Sequence, residues 1–171
     1  MKIKFNISEI IGIVGAAIII GSCTNPSQPN SDQKQNSDNK QPVNDLVFER
    51  GEKVNNSNFT GGNVWLKNLV DADSINQNAV GSVTFEPGAR TKWHAHPAGQ
   101  IILAIDGEGY YQEEGKNKVI VKKGEVMKCP SDVPHWHGAS AHSHFVQVAI
   151  TGREKGETVW LKEVTDEEYN K

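Results

Sequence analysis

Gly88-Ala-Arg-Thr-Lys-Trp-His94-Ala-His96-Pro-Ala-Gly-Gln100, continued by Ile101-Ile-Leu-Ala-Ile-Asp-Gly107, is the stretch on which the reading of this chain turns. Residues two apart in an extended segment point to one face, so His94 and His96 project side by side. Pro97, Ala98 and Gly99 form a turn signal that re-aims Gln100 toward the same space. A second stretch, Gly124-Glu-Val-Met-Lys-Cys-Pro130-Ser-Asp-Val-Pro-His135-Trp-His137, brings a third imidazole from a separate strand-like run. His94, His96, His135 and the carboxamide oxygen of Gln100 thus make a candidate site for a divalent metal.

Working outward, short apolar or alternating runs follow one another at residues 46–49, 64–70, 79–86, 91–96, 100–105, 109–112, 118–121, 125–128, 145–151 and 158–164. Glycine-bearing turn signals separate them: Gly61-Gly62, Pro87-Gly88, Asp106-Gly107, Glu114-Gly115, Lys123-Gly124, Thr151-Gly152 and Lys155-Gly156. Regular short strands with such punctuation predict an all-β sandwich or barrel over residues 45–164. Helical periodicity is absent except at the end, where residues 165–171 predict a C-terminal turn. There, Thr165 and Glu168 stand at the spacing of a capping box.

The first 44 residues read differently. Lys2 and Lys4 precede an apolar run, Ile10 to Ile20, that is too short to span a bilayer comfortably. It ends in Ile20-Gly21-Ser22-Cys23, which resembles a bacterial lipobox. That resemblance implies a cleaved signal peptide at 1–22, lipid on Cys23 and a protein held at the bacterial cell envelope outside the cytoplasm. Residues 23–44 are rich in Asn, Ser, Gln, Pro and Asp, the composition of a disordered tether. Net charge is -3 over 171 residues, with no basic face or charge block, which argues against a nucleic-acid partner. After cleavage and lipidation of Cys23 one free thiol remains, Cys129, so no intramolecular disulfide is expected; beside Pro130 it reads as a small buried hydrophobe.

The metal-ligand stretches carry a family resemblance. Residues 88–107 have the pattern G-x5-H-x-H-x3-Q-x6-G, which resembles the first cupin motif with Gln100 where Glu is usual. Residues 124–139 resemble the second motif, with Asp132 in place of the usual Gly and Ala139 in place of the usual Asn. The resemblance implies a single jelly-roll barrel with a metal inside it. The stretches around Thr60, Gly81 and Pro134 are similar to a narrower group that includes manganese-dependent, cupin-type hydroxynitrile lyases, in which three His plus Gln is the pattern. One divalent metal per barrel is thereby implied, manganese first, with iron or zinc as alternatives.

The implied activity is that of a metal-dependent enzyme on a small-molecule substrate inside the barrel, a carbon–carbon lyase of the cyanohydrin type. A dioxygenase using iron or manganese is the alternative within the same site, and a non-catalytic lipoprotein holding metal or a small ligand is the alternative from another class. Family analogy also suggests a homodimer, for which the Trp65 strand could serve.

The chemistry of the individual residues follows from their types. Imidazole is largely uncharged at neutral pH and therefore a ready ligand. Gln100 in place of a carboxylate leaves the metal its full positive charge, and its amide must turn oxygen to the metal while its NH2 finds an acceptor. His137, two beyond His135, is a candidate catalytic acid or base beside the metal, or else a histidine closing the barrel mouth. Gln147 interrupts an apolar alternation and so is a candidate cavity-lining residue; His144, in the polar loop it shares with His142, is a loop residue or lines the mouth. Trp93 and Trp136 flank ligand histidines, so alternation places them on the opposite, packing face. Arg90 and Lys92 could meet an anionic substrate or simply form a charged strand edge.

Overall fold

A computed structural model of the chain describes residues 47–171. The signal peptide expected at 1–22, Cys23 and the tether expected at 23–44 lie outside the described residues. Among the described residues there are twelve strands: β1 (Glu52–Lys53), β2 (Phe59–Thr60), β3 (Val64–Val70), β4 (Asn78–Phe85), β5 (Arg90–Thr91), β6 (His94–Ala95), β7 (Gln100–Glu113), β8 (Val119–Lys122), β9 (Val126–Cys129), β10 (His135–Ala139), β11 (Phe145–Gly152) and β12 (Val159–Trp160), followed by a short helix α1 (Asp166–Asn170). They form one curled antiparallel sheet, in the order β1-β3-β4-β11-β7-β10-β5-β2, with β8 and β9 also on β7 and β12 joined through β6 to β10. The protein is all-β, and its sheet curls into a half-barrel.

Strand β7 lets the sheet curl. Its first half pairs with β11 and β9, and its second half with β10 and β8. The Asp106-Gly107 pair, which reads as a turn, does not end the strand. Val146 pairs with Asp106 and Gln147 with Ala104, so Ile105 is an extra residue, a β-bulge. The burial pattern changes parity across it: Gln100, Ile102 and Ala104 are buried before the bulge, and Gly109, Tyr111 and Glu113 after it. One unpaired residue bends the strand and swaps which positions face inward, so the core side stays the core side around the bend. Gly107 completes the bend at φ 71°, where a Cβ would also collide with the His144 carbonyl oxygen.

The main core fills the concave side, with Val64, Phe85, Ile102, Tyr111, Val121 and Phe145 among its buried members. A second cluster lies on the outer face and joins Trp93 and Trp136 to Val164 and Tyr169. The C-terminal turn expected from the sequence is the helix α1, started by a full capping box between Thr165 and Glu168. It seals the tryptophan face. The Tyr169 hydroxyl donates to the Ala139 carbonyl at 2.9 Å. Arg90, buried rather than at a charged edge, donates to the Val164 carbonyl at 3.1 Å and to the Asp166 carboxylate at 2.6 Å, and its guanidinium lies 4.6 Å from the Tyr169 ring centre. Lys92 pairs outward with Glu163 at 3.5 Å. Arg90 and Lys92 are therefore structural, and neither meets the cavity.

Other elements depart from the sequence-based strands. Residues 47–49 form no strand, and Val47 is exposed. The run at 91–96 divides into β5 and β6 around Trp93, whose backbone instead exchanges hydrogen bonds with residues 161 and 162. That pairing keeps the end of the 158–164 run on the sheet edge although only β12 is regular there. Strands β1, β2 and β10 were not among the apolar runs: the first two are only two residues long, and β10 is a His-Trp-His-Gly-Ala run with little aliphatic content. Trp65, offered as interface, lies under Arg50 with 4.5 Å between guanidinium and ring. Among the described residues no helix is long and apolar enough to cross a membrane.

The bend makes a prediction about two glycines. Gly107 and Gly115 both have positive φ, but a Cβ on Gly115 meets nothing within 4 Å. Gly115→Ala should cost about 1 kcal/mol from backbone strain alone. Gly107→Ala should cost at least twice as much in urea unfolding, because the collision is added to the strain. Equal costs would mean that the His144 carbonyl does not constrain the bend.

Candidate metal centre

The centre is built from the β6–β10 pairing. His94 and His135 stand opposite one another in register, with ring centres 4.4 Å apart. Each ring is held by the carbonyl two residues earlier: His94 Nδ1 donates to Lys92 O and His135 Nδ1 to Val133 O, both at 2.9 Å. A carbonyl can only accept, so the proton sits on Nδ1 and the lone pair on Nε2. His96, one residue beyond β6, has its ring 4.9 Å from His94 and its Nδ1 3.1 Å from Thr158 Oγ1. The Nε2 atoms of His96 and His135 are buried without a hydrogen-bond partner.

Gln100 opens β7 at the same place. Its Nε2 donates to Thr151 Oγ1 at 2.9 Å, which is the acceptor its NH2 requires, and its Oε1 accepts from Cys129 Sγ at 3.9 Å. Cys129 itself is buried, and burial pushes its thiol up to about 12, consistent with a packing role. Orphaned imidazole nitrogens and an amide oxygen are a donor set that fits a divalent cation.

His137 is nearer to this set than alternation alone suggested. It faces inward with His135, and its ligand atom lies within 4.8 Å of those of His94 and His135. His94, His135 and His137 are the tightest group among the described residues, with His96 outside that limit. His94 and His135 are common to both possible triads. The difference is in the support. His137 is fixed through its backbone N–H, which donates to Thr91 Oγ1 at 3.1 Å, while its ring Nδ1 is buried with no partner and Phe85 stands edge-on at 6.0 Å.

Burial sets the protonation of all four rings. His94 and His137 are held well below the usual imidazole range, first by burial and then by neighbouring histidines. His135 is lowered by burial, and His96 is lowered to about 3 by burial, by His135 and by the nearby Arg153 charge. Four neutral rings at neutral pH are the state that metal binding needs.

A cavity of about 130 Å³ opens beside the cluster, with Phe59, Phe85 and Trp160 on its apolar side. Gln147 lines it and is fully buried, with neither amide atom partnered. The odd-numbered positions of β11 face this space: Gln147, Ala149, Thr151 and then Arg153 just past the strand. His144 is even-numbered and points away. It is exposed and pairs with Asp106 at 3.0 Å, so it does not line the cavity; His142 is likewise exposed. Sequence reasoning found Gln147 by its break in the apolar pattern. The same alternation carried two residues further each time would have found Thr151 and Arg153, whereas nothing in the sequence marks Thr158.

Residues 81–150 match the cupin domain family. The (R)-mandelonitrile lyase of Granulicella tundricola is 40% identical over 114 residues, covering 66% of this chain and 86% of that protein. The chain belongs to the cupin family. A crystal structure of a cupin-like protein from Thermotoga maritima is 48% identical, covers 74% of this chain and 96% of its own, and superposes with a TM-score of 0.71. A 3-hydroxyanthranilate 3,4-dioxygenase of Bacillus thuringiensis is 40% identical over 53 residues, which is 29% of this chain and 30% of that enzyme. The protein is thus a small cupin resembling the hydroxynitrile lyases, and its three-histidine group fits a metal-binding cupin.

The buried rings make stability depend on pH with a definite sign. Unfolded histidine titrates near 6.5, while the folded rings titrate lower, so below about pH 6.5 the unfolded state binds more protons and stability falls. The slope is at most about 1.4 kcal/mol per pH unit for each ring. For His96 the loss runs from that point down to about 3. Urea midpoints of metal-free protein should drop between pH 7.5 and pH 5, and His96→Gln should flatten the drop. An unchanged slope in that variant would contradict the assignment of a suppressed imidazole there.

Proposed function

We propose that this cupin is a metal-dependent enzyme that cleaves a carbon–carbon bond in a small cyanohydrin-type substrate, with His94, His96, His135 and Gln100 holding the metal and His137 as base. The observation that carries the choice of ligands is the support behind each ring. His94, His135 and His96 each have one nitrogen tied to an oxygen and the other turned inward, while His137 has no hydrogen bond to its ring. Outer partners that fix a tautomer are the usual companions of ligand histidines. The divalent metal, manganese on the family resemblance with iron or zinc as competitors, would supply Lewis acidity toward the substrate hydroxyl.

The chain's own part is proton transfer, placement and exclusion of water. His137, neutral through burial, takes the hydroxyl proton as the carbonyl double bond forms. The bond to the nitrile carbon breaks, and cyanide leaves with the electron pair. Gln147 offers a buried amide, both a donor and an acceptor, to orient the substrate. The Phe59, Phe85 and Trp160 side keeps the reacting atoms dry. Likeness to a named mandelonitrile lyase over most of that enzyme's length supports this reading.

Release of acetaldehyde from lactonitrile, a cyanohydrin small enough for the cavity, by manganese-loaded full-length protein tests it. Chelation and His94→Ala should each abolish release. His137→Ala should keep bound metal but lose roughly 100-fold in kcat, the scale of one general base. If His137→Ala loses the metal instead, His137 is a ligand and His96 is not. The partial match to a dioxygenase favours a second reading in which the same centre handles oxygen. Oxygen uptake with catechols or enols, without cyanohydrin cleavage, would select it; silence in both assays would favour a metal- or ligand-binding role.

We further infer from residues 1–23 that Cys23 carries lipid and holds the domain at the bacterial envelope through the tether. In a bacterial host the protein should label with radioactive palmitate and partition into detergent. Cys23→Ala should do neither, and equal labelling of that variant would end the lipoprotein reading.

A further inference from the structure

The cavity beside the histidines carries one charged side chain and no acid. Among the described residues no Asp or Glu lines it, and Arg153 is its only cation. The metal donors proposed for it are all neutral, so a bound dication keeps its full charge. Both contributions have the same sign. A space of this kind favours an anion over a neutral molecule of equal shape.

Arg153 is placed to be more than a surface charge. It continues the inward-facing positions of β11, so its stem runs along the same wall as Gln147 and Thr151. Its guanidinium is anchored on one nitrogen: Nη1 donates to Glu157 Oε2 at 2.7 Å and to Thr158 Oγ1 at 3.3 Å. Thr158 Oγ1 is also 3.1 Å from His96 Nδ1, which puts the guanidinium two hydrogen bonds from a proposed ligand ring. Glu157 is 87% exposed, and an exposed pair of this kind contributes about 0–1 kcal/mol. A carboxylate entering from solvent can therefore displace Glu157 and take the planar, two-pronged face that arginine presents.

Size limits the ligand further. The cavity of about 130 Å³ equals roughly four water molecules' share of the liquid, well below the ~300 Å³ at which pockets begin to hold drug-sized molecules. A second oxygen function next to the carboxylate keeps a molecule within that volume while turning the second oxygen toward the proposed ligand rings.

We propose that the cavity takes a small hydroxy- or oxo-carboxylate, of about four to seven heavy atoms, whose carboxylate is bound at the mouth by Arg153. This goes beyond the reading above, since a hydroxy- or oxo-carboxylate is a different ligand class from a cyanohydrin. It rests on that reading only for the cavity being where substrate binds. Arg153 is then the residue that selects acids, and Gln147, deeper on the same strand, is left to meet an uncharged group.

The test is calorimetric titration of zinc-loaded full-length protein with lactate and with lactamide, its neutral isostere. Wild type should prefer lactate by about tenfold or more, the worth of one charge-assisted contact. Arg153→Gln should shrink the preference to below about threefold while leaving lactamide affinity unchanged, and Arg153→Lys should restore part of it. Thermal unfolding of each variant checks that the exposed substitution leaves the fold intact. A lactate preference that survives Arg153→Gln would place the carboxylate on the metal and overturn the proposal, as would no preference in wild type. Failure of cyanohydrin cleavage alongside an Arg153-dependent preference would remove the lyase reading and leave this one standing.

Discussion

Two backbone carbonyls hold the centre together. Lys92 O and Val133 O each accept from the Nδ1 of the histidine two residues on, and the β6–β10 register sets those two rings side by side, tilted by 57°. Local geometry thus fixes the tautomer, and tertiary pairing fixes the distance. Neither would serve alone: a correctly paired ring with its proton on the wrong nitrogen offers no lone pair, and a correct tautomer one register off points to solvent. The remaining features of the site are arranged around this pair, including His96 on Thr158 and Gln100 on Thr151.

Such a site is held against a cost. Of the seven buried side-chain nitrogen and oxygen atoms without a partner among the described residues, five belong to His96, His135, His137 and Gln147. Each unsatisfied buried group costs about 1–3 kcal/mol. The rest of the described core is nearly free of the same defect, so the deficit is concentrated where a ligand could relieve it. The second cluster helps to bear it: Trp93 and Trp136 alternate with the centre's own histidines and anchor them from behind, under a capped helix fastened by Arg90 and Tyr169.

Much of this was legible in the sequence for physical reasons. The glycine-marked strands foretold the sheet, and the spacing of His94, His96 and Gln100 with the late His135 foretold four candidate residues that lie close together, because period-two alternation is a strong constraint wherever one face is buried. Alternation also placed Trp93 and Trp136 correctly on the outer face. It failed where the period was broken. Asp106-Gly107 has the composition of a turn, yet it lies within β7, since a bulge uses the same permissive glycine as a hairpin. His144 is the exposed loop residue that was one of its two readings; the cavity-lining alternative fails because, three residues from Gln147, it has the opposite strand phase. Arg90 read as an edge charge because its partners, Val164 and Asp166, lie more than seventy residues away. Thr158 left no trace at all: a lone threonine becomes a link between Arg153 and His96 only after the chain has folded back on itself.

The centre's electrostatics tie its parts into one mechanism. Burial and neighbouring rings hold His137 well below its ordinary range, so it is unprotonated at neutral pH and free to accept a proton. The same suppression makes it a weak base. A weak base removes a proton efficiently only from a group whose acidity has been raised to match it. An ordinary alcohol is far too poor an acid, and a hydroxyl next to a dication surrounded by neutral ligands is a much better one. As a proposed ligand, Gln100 in place of a carboxylate would do more than spare a charge: it would strengthen the acidification on which a buried histidine base depends. Under the proposed chemistry, the neutrality of the ligand set and the depressed basicity of His137 are one adjustment seen from two sides, and restoring a carboxylate at position 100 would weaken the base's effect along with the metal's.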